Sequence, residues 1–154
     1  MMASDKKSLA VAALENGTVI DHIPADQLFK CVKILDLEGL DKQLTIGNNL
    51  RSDKLGAKGI IKIADVTIPE PVINRIALVA PNAVINLIRN YEVVDKRPVK
   101  LPDMVVGIVR CANPKCITNN EPMKTRFDVI DAERREIRCH YCGVTVTGAK
   151  ADII

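Results

Sequence analysis

The stretch Leu44-Thr-Ile-Gly-Asn-Asn-Leu-Arg-Ser-Asp-Lys-Leu-Gly-Ala-Lys-Gly-Ile-Ile-Lys-Ile-Ala64 decides the fold. It contains two β-favouring runs, Leu44 to Leu50 and Lys58 to Ala64, on either side of a polar turn region, Arg51 to Gly56, and such a pattern predicts a hairpin. On both sides of it the apolar period changes from that of a strand to that of a helix. Upstream, Pro24 opens a segment whose Leu28, Cys31, Val32 and Leu35 share one helical face, and Gly39 stops it. That segment follows a short strand-like run, Thr18-Val-Ile-Asp-His22. Downstream, Pro69 or Pro71 begins a second helix with the stripe Val72, Ile73, Ile76, Val79 and Ala80. Pro81 ends it, and an extended run from Ala83 to Val94 follows. The order β-α-β-β-α-β predicts a ferredoxin-like α+β domain, with helices covering one face of a four-stranded antiparallel sheet.

Lys96-Arg-Pro-Val-Lys-Leu-Pro102 is a stiff polar connection, so the expected domains are residues 1–98 and 102–154. Past it, the runs Val105 to Arg110, Thr125 to Ile130, Glu136 to Arg138 and Val144 to Thr147 are short, β-favouring and separated by turn residues. They predict a small all-β unit. Within it Cys111-Ala-Asn-Pro-Lys-Cys116 and Cys139-His-Tyr-Cys142 give C-x4-C, a 22-residue interval, then C-x2-C. Two close thiol pairs in a chain without an export signal argue for metal over disulfides, and four sulfurs are the preferred shell of structural zinc. Such a shell is closed to water and substrate, which points to stabilisation of a domain too small to hold itself together. His140, inside the second pair, reads as an exposed knuckle residue because four thiols already complete the shell. Cys31 reads as a small buried hydrophobe on the first helix.

Composition narrows the function classes. With 47% hydrophobic and 27% charged residues the chain is expected to fold. It has no run near the ~20 apolar residues of a membrane helix. The opening MMASDKKSLAVAALENG has too short an apolar stretch for a secretory signal, so a cytoplasmic location is expected. Residues 1–98 carry 13 basic and 12 acidic side chains and the remainder 9 and 7, a balance unlike that of a nucleic-acid-binding module. A zinc-ribbon nucleic-acid factor would share the cysteine spacing, but this balance and the absence of Trp count against it. A free-standing enzyme finds little support either. His22 and His140 are the only histidines, and no Ser-His-Asp set, P-loop or open metal site is present.

Lys58-Gly-Ile-Ile-Lys-Ile63 alternates, so Lys58, Ile60 and Lys62 face one way while Ile61 and Ile63 face the core. Two ammonium groups around an aliphatic side chain can present cations to phosphates and an apolar surface to a sugar or base. A solvated sheet face gives the same alternation. Asn86 and Ile88 share a strand face, and a bulge near Arg89-Asn90 would add Tyr91 and Val93 to it.

Gly17-Thr-Val-Ile-Asp-His-Ile-Pro24, Leu44-Thr-Ile-Gly-Asn-Asn-Leu50, Lys58 to Ile63, Ala80-Pro-Asn-Ala-Val-Ile-Asn86, Asn90-Tyr-Glu-Val-Val94 and the two cysteine pairs occur in this order over nearly the whole chain. In that order and spacing they resemble the regulatory chain of aspartate carbamoyltransferase, a non-catalytic subunit that senses nucleotides. The resemblance implies an N-terminal domain that binds CTP, ATP and UTP, and a zinc domain that docks on the catalytic chain. It implies Lys96 and Lys62 on phosphates and ribose, Lys58 as a nearby cation, and Asp21 with His22 beside the ribose and phosphates. Asn86, Ile88, Tyr91 and Val93 would line the pocket, and Val11, Ala12, Ala13 and Leu14 would approach the base through backbone groups. Ala12 stands where the family motif has a glutamate, in the segment that distinguishes purine from pyrimidine. Lys115 stands where a neutral polar residue, usually asparagine, is expected, whereas Asn113 matches; both are expected at the catalytic-chain contact. The resemblance further implies regulatory dimers joined through their nucleotide domains, bridging catalytic trimers in an assembly of six catalytic and six regulatory chains, with no nucleic acid or membrane partner.

Overall fold

A computed structural model describes residues 14–154. The first sheet has the strand order β2-β3-β1-β4-β5 and is antiparallel throughout. Its strands are β1 (Gly17–Pro24), β2 (Leu44–Ser52), β3 (Gly56–Ala64), β4 (Val84–Arg89) and β5 (Glu92–Pro98). Between β1 and β2 runs a 3-10 turn, Ala25–Gln27, that leads into α1 (Leu28–Ile34). Between β3 and β4 lie α2 (Glu70–Ile73) and a second 3-10 turn, Asn74–Leu78. The helices cover one face of the sheet. Leu28, Cys31, Ile34, Ile73 and Ile76 pack there with Ile20, Ile61, Ile63 and Ile85. This is the ferredoxin-like arrangement with one strand added.

The added strand corrects the expectation of four. The run from Ala83 to Val94 is not one strand but the first arm and turn of a hairpin, because Asn90 and Tyr91 take positive φ values of 51° and 66°. A two-residue turn of this kind places Arg89 opposite Glu92 and Ile88 opposite Val93. Val93 therefore joins the face of Asn86 and Ile88 through the hairpin itself, without a bulge at Arg89-Asn90. The register irregularity lies further on: Ile88 pairs with Val93 while Leu87 pairs with Asp95. Val94 is the extra residue. Lys96 and Arg97, read from sequence as linker, are strand residues paired with Asn86 and Ile85.

The C-terminal part is all β. One sheet has the order β10-β9-β8-β6, built from β6 (Met104–Val106), β8 (Arg126–Asp131), β9 (Glu136–Cys139) and β10 (Thr145–Thr147). A two-stranded sheet pairs β7 (Val109–Arg110) with β11 (Asp152–Ile153). The expected single strand Val105 to Arg110 is divided at Gly107, whose φ of 70° turns the chain from the first of these sheets into the second. Phe127 and Ile137 lie at 1% and 0% exposure, and both belong to the same apolar cluster as Ile76 and Leu78 of the first part. One core thus runs through both.

Candidate nucleotide face and metal centre

The face of the first sheet away from the helices carries a cross-strand row. Thr45 is opposite Lys62, Lys62 opposite Val19, Val19 opposite Asn86 and Asn86 opposite Lys96, so one residue from each of the five strands lies side by side. Two cations are separated by an apolar side chain and an amide. Nothing in the sequence marks Thr45; the β2–β3 register reveals it. A second patch is apolar: Val19, Ile60 and Ile88 are buried together with Leu14 against them. The residues expected near a base, Val11, Ala12 and Ala13, lie outside the described residues.

Asp21 shares this face with Val19 by ordinary alternation, and His22 joins it through an irregularity in β1. Ile20 pairs with Ile61 but Ile23 pairs with Gly59, so Asp21 and His22 together stand opposite Ile60. In a regular strand these neighbours would point to opposite sides; a bulge with His22 at φ 62° brings His22 to the side of Asp21. Asp21 is 6% exposed, and its carboxylate is held 2.9 Å from the Lys58 ammonium. It also accepts the His22 backbone N–H at 2.7 Å. Burial lowers the pKa of His22, against the opposing pull of Asp21 and with help from Lys58, Lys54 and Lys96. The ring is neutral at pH 7, so its 3.7 Å approach to Asp21 is not an ion pair there. Nδ1 of His22 is buried without a hydrogen-bond partner among the described residues.

Asn86 is 4% exposed, and its amide donates to the Val19 carbonyl at 3.4 Å. Tyr91 leaves the strand for the turn and is 61% exposed; its N–H donates to the Glu15 carbonyl, which ties the β4–β5 turn to the segment entering β1. Chemically, the face offers Lys58, Lys62 and Lys96 around a small apolar floor. A molecule with phosphates and a flat or aliphatic part is complementary to it.

In the C-terminal part four thiols converge. Their sulfur atoms lie within 4.8 Å of one another, with Cys111 to Cys142 at 3.5 Å and Cys116 to Cys139 at 3.8 Å. A tetrahedron of Zn–S bonds near 2.3 Å has edges of about 3.8 Å, so the spacing suits one ion held by four thiolates. Each pair is shaped by backbone turns. Cys116 N–H donates to Asn113 O and Gly143 N–H to Cys139 O, both at 3.0 Å. The first loop is further stapled by two side chains that the cysteine spacing does not mark. Asn119 donates to the carbonyls of Cys111 and Asn113, and Asn120 to those of Pro114 and Cys116.

Burial pushes Cys111 up to about 12 and raises Cys139, with the neighbouring thiols adding to both. Cys142 is exposed, and the Val144 N–H draws it down to about 7. His140 is turned to Asp128 at 3.4 Å and is outside the converging group. Asn113 Oδ1 accepts the Lys115 N–H at 3.0 Å, while the Lys115 side chain is exposed. Cys31 is 0% exposed and pushed to about 12 by burial.

These features define a class: a two-part chain that joins a cationic ferredoxin-like sheet to a four-thiol metal-binding unit. The family model for the aspartate carbamoyltransferase regulatory chain, allosteric domain, matches residues 9–100, and that for the metal binding domain of the same chain matches residues 103–152. An aspartate carbamoyltransferase regulatory chain from Parabacteroides distasonis is 58% identical over 154 residues, covering 100% of this chain and 99% of that one. Its counterpart from Porphyromonas gingivalis is 57% identical over 149 residues, 97% and 99% of the two chains. One from Thermococcus sibiricus is 46% identical over 140 residues, 91% and 93%. The chain belongs to the aspartate carbamoyltransferase regulatory chain family, and it is a non-catalytic subunit of an enzyme complex.

Proposed function

We propose that this chain senses CTP, ATP and UTP on the cationic sheet face and passes their effect to an aspartate carbamoyltransferase catalytic chain in pyrimidine biosynthesis. The observation that carries the reading is the cross-strand row, in which Lys62 and Lys96 flank Val19 and Asn86 beside the bulged Asp21-His22 pair. Lys62 and Lys96 take the phosphates and ribose, and Lys58 adds positive field. Asp21 and His22 stand beside the ribose, while Ile60, Asn86, Ile88, Tyr91 and Val93 form the wall. Val11 to Leu14 complete the site at the base.

Residues 102–154 form the docking domain. Cys111, Cys116, Cys139 and Cys142 hold one Zn2+ whose closed shell makes it structural. Asn113 and Lys115 face the catalytic chain. Regulatory chains pair through their nucleotide domains and bridge catalytic trimers in a cytoplasmic dodecamer. The edge strand β2 leaves Ile46 and Leu50 about two-fifths exposed, an apolar border that supports pairing on that domain.

A nucleotide far from an active site alters activity only if it binds two quaternary states with different affinity, a coupling of about 1 to 3 kcal/mol. Co-purification with the neighbouring carbamoyltransferase, followed by titration of activity with each nucleotide, tests the reading. A shift in half-saturating aspartate is expected. An associated but nucleotide-blind complex, or no association, would overturn it.

A further inference from the structure

Beside the apolar core that they share, the two halves of the chain grip one another at a short turn. Gly148–Lys150 is a 3-10 turn between β10 and β11. On one side it is pressed against the first domain, since a Cβ added to Gly148 would lie 2.0 Å from the carbonyl oxygen of Leu78. The same carbonyl accepts the Arg135 guanidinium at 2.7 Å, while Arg135 O accepts the Gly148 N–H at 2.9 Å. Arg135 therefore holds the turn with its backbone and the first domain with its side chain. On the other side the Lys30 ammonium, from α1, donates to the carbonyls of Ala149 at 3.1 Å and Ala151 at 3.0 Å.

Both grips lie close in sequence to the cationic face. Lys30 follows the Asp21-His22 bulge along the chain, and Leu78 precedes β4, which carries Asn86 and Ile88. On the far side of the turn, β11 pairs with β7, which leads directly into Cys111. Charge-assisted hydrogen bonds to carbonyls are directional, so they fix orientation where apolar packing alone permits sliding. These bonds join α1 and the turn Asn74–Leu78 to the C-terminal unit at fixed points.

We infer that the turn Gly148–Lys150 is the joint that sets the angle of the metal unit against the nucleotide domain, with Lys30 and Arg135 as its positioning residues. This rests on the proposed regulatory function. Three variants of the full chain test it: Lys30→Met, Arg135→Met and Gly148→Ala. The two methionines keep an aliphatic stem and remove the donors, whereas the alanine drives a wedge between Gly148 and Leu78.

In complexes assembled with the catalytic chain, CTP affinity and metal content stay within about twofold of the parent, while the CTP-driven shift in half-saturating aspartate falls at least about threefold. Lys30→Arg restores most of that shift. An unchanged shift overturns the inference, and so does loss of CTP binding or assembly along with it, because the residues would then be merely structural. A measurement without the catalytic chain separates this inference from the functional reading. Hydrogen exchange in rising urea is expected to release β1–β5 and β6–β11 together in the parent chain and apart in the Lys30→Met/Arg135→Met chain. Joint release in both chains contradicts the joint. A parent complex blind to CTP contradicts the regulatory reading instead.

Discussion

The carboxylate of Asp21, 6% exposed, lies 2.9 Å from the ammonium of Lys58 on the neighbouring strand, and the pair stands on the cationic face. Each charge there masks the other. Lys58→Met leaves a buried carboxylate beside any phosphate, so nucleotide affinity should fall about tenfold or more, whereas Asp21→Asn frees a cation and should hold or tighten it. Both variants lose stability, by about 2 kcal/mol for Asp21→Asn, since removing one member of a mostly buried pair strands the other. Calorimetric titration with CTP and urea unfolding of each variant check the opposite signs.

His22 supplies a pH dependence. Burial holds its folded pKa below the ordinary 6.5, so the unfolded chain binds the proton first as pH falls. The stability owed to the neutral ring is therefore complete above pH 6.5 and declines as pH drops from 6.5 toward the lowered folded value. A bound polyanion acts the other way and raises the pKa, so His22 should take up protons on CTP binding between pH 7 and 6, against the release from the nucleotide's own terminal phosphate. Titrations in buffers of different ionisation enthalpy measure the net exchange, and His22→Gln should shift it toward release by the His22 share.

The thiols should differ sharply in reactivity when the chain is stripped of metal. Cys142 is exposed and drawn down to about 7, whereas Cys31 is fully buried and pushed to about 12. Alkylation at pH 7.5 should modify Cys142 about 100-fold faster than Cys31, and zinc should protect Cys142. Because Cys111 and Cys139 are raised, loading releases about two to four protons, and zinc affinity should weaken steeply below pH 7. A pH-stat records the release.

Asn119 and Asn120 staple the first cysteine loop without touching a sulfur. Replacing Asn119 with Ala frees the carbonyls of Cys111 and Asn113 and loosens the placement of both thiols of that loop. Zinc affinity should fall about tenfold in competition with a chromophoric chelator, as it does when groups that orient ligands are lost. Surface substitutions such as Lys124→Ala should leave it unchanged.

Much of this arrangement was readable in the residues. Alternation in Lys58 to Ile63 separates core from open face, and the helical stripes around Leu28 and Ile73 find their side of the sheet because burying them is the main driving force of folding. The thiol spacing needs only short loops to bring four sulfurs together. What remained hidden depends on non-local register. Asn90-Tyr91 is not a strong turn signal, since a tyrosine rarely takes positive φ, so the β4–β5 hairpin reads as one strand in sequence. The bulge at Asp21-His22 shows only when Ile20 and Ile23 are matched to β3. Lys30 and Arg135 carry no local mark of their partners, which lie 119 and 57 residues away.

The most direct test of the account is calorimetric titration of CTP into the zinc-loaded chain and into its Lys62→Ala and Lys96→Ala variants. One site per chain is predicted for the parent, with binding weakened about tenfold or more by each substitution while the fold and metal content persist. Absence of CTP binding to the parent, or undiminished binding in both variants, would contradict the assignment of the open sheet face as the place where the nucleotide is read.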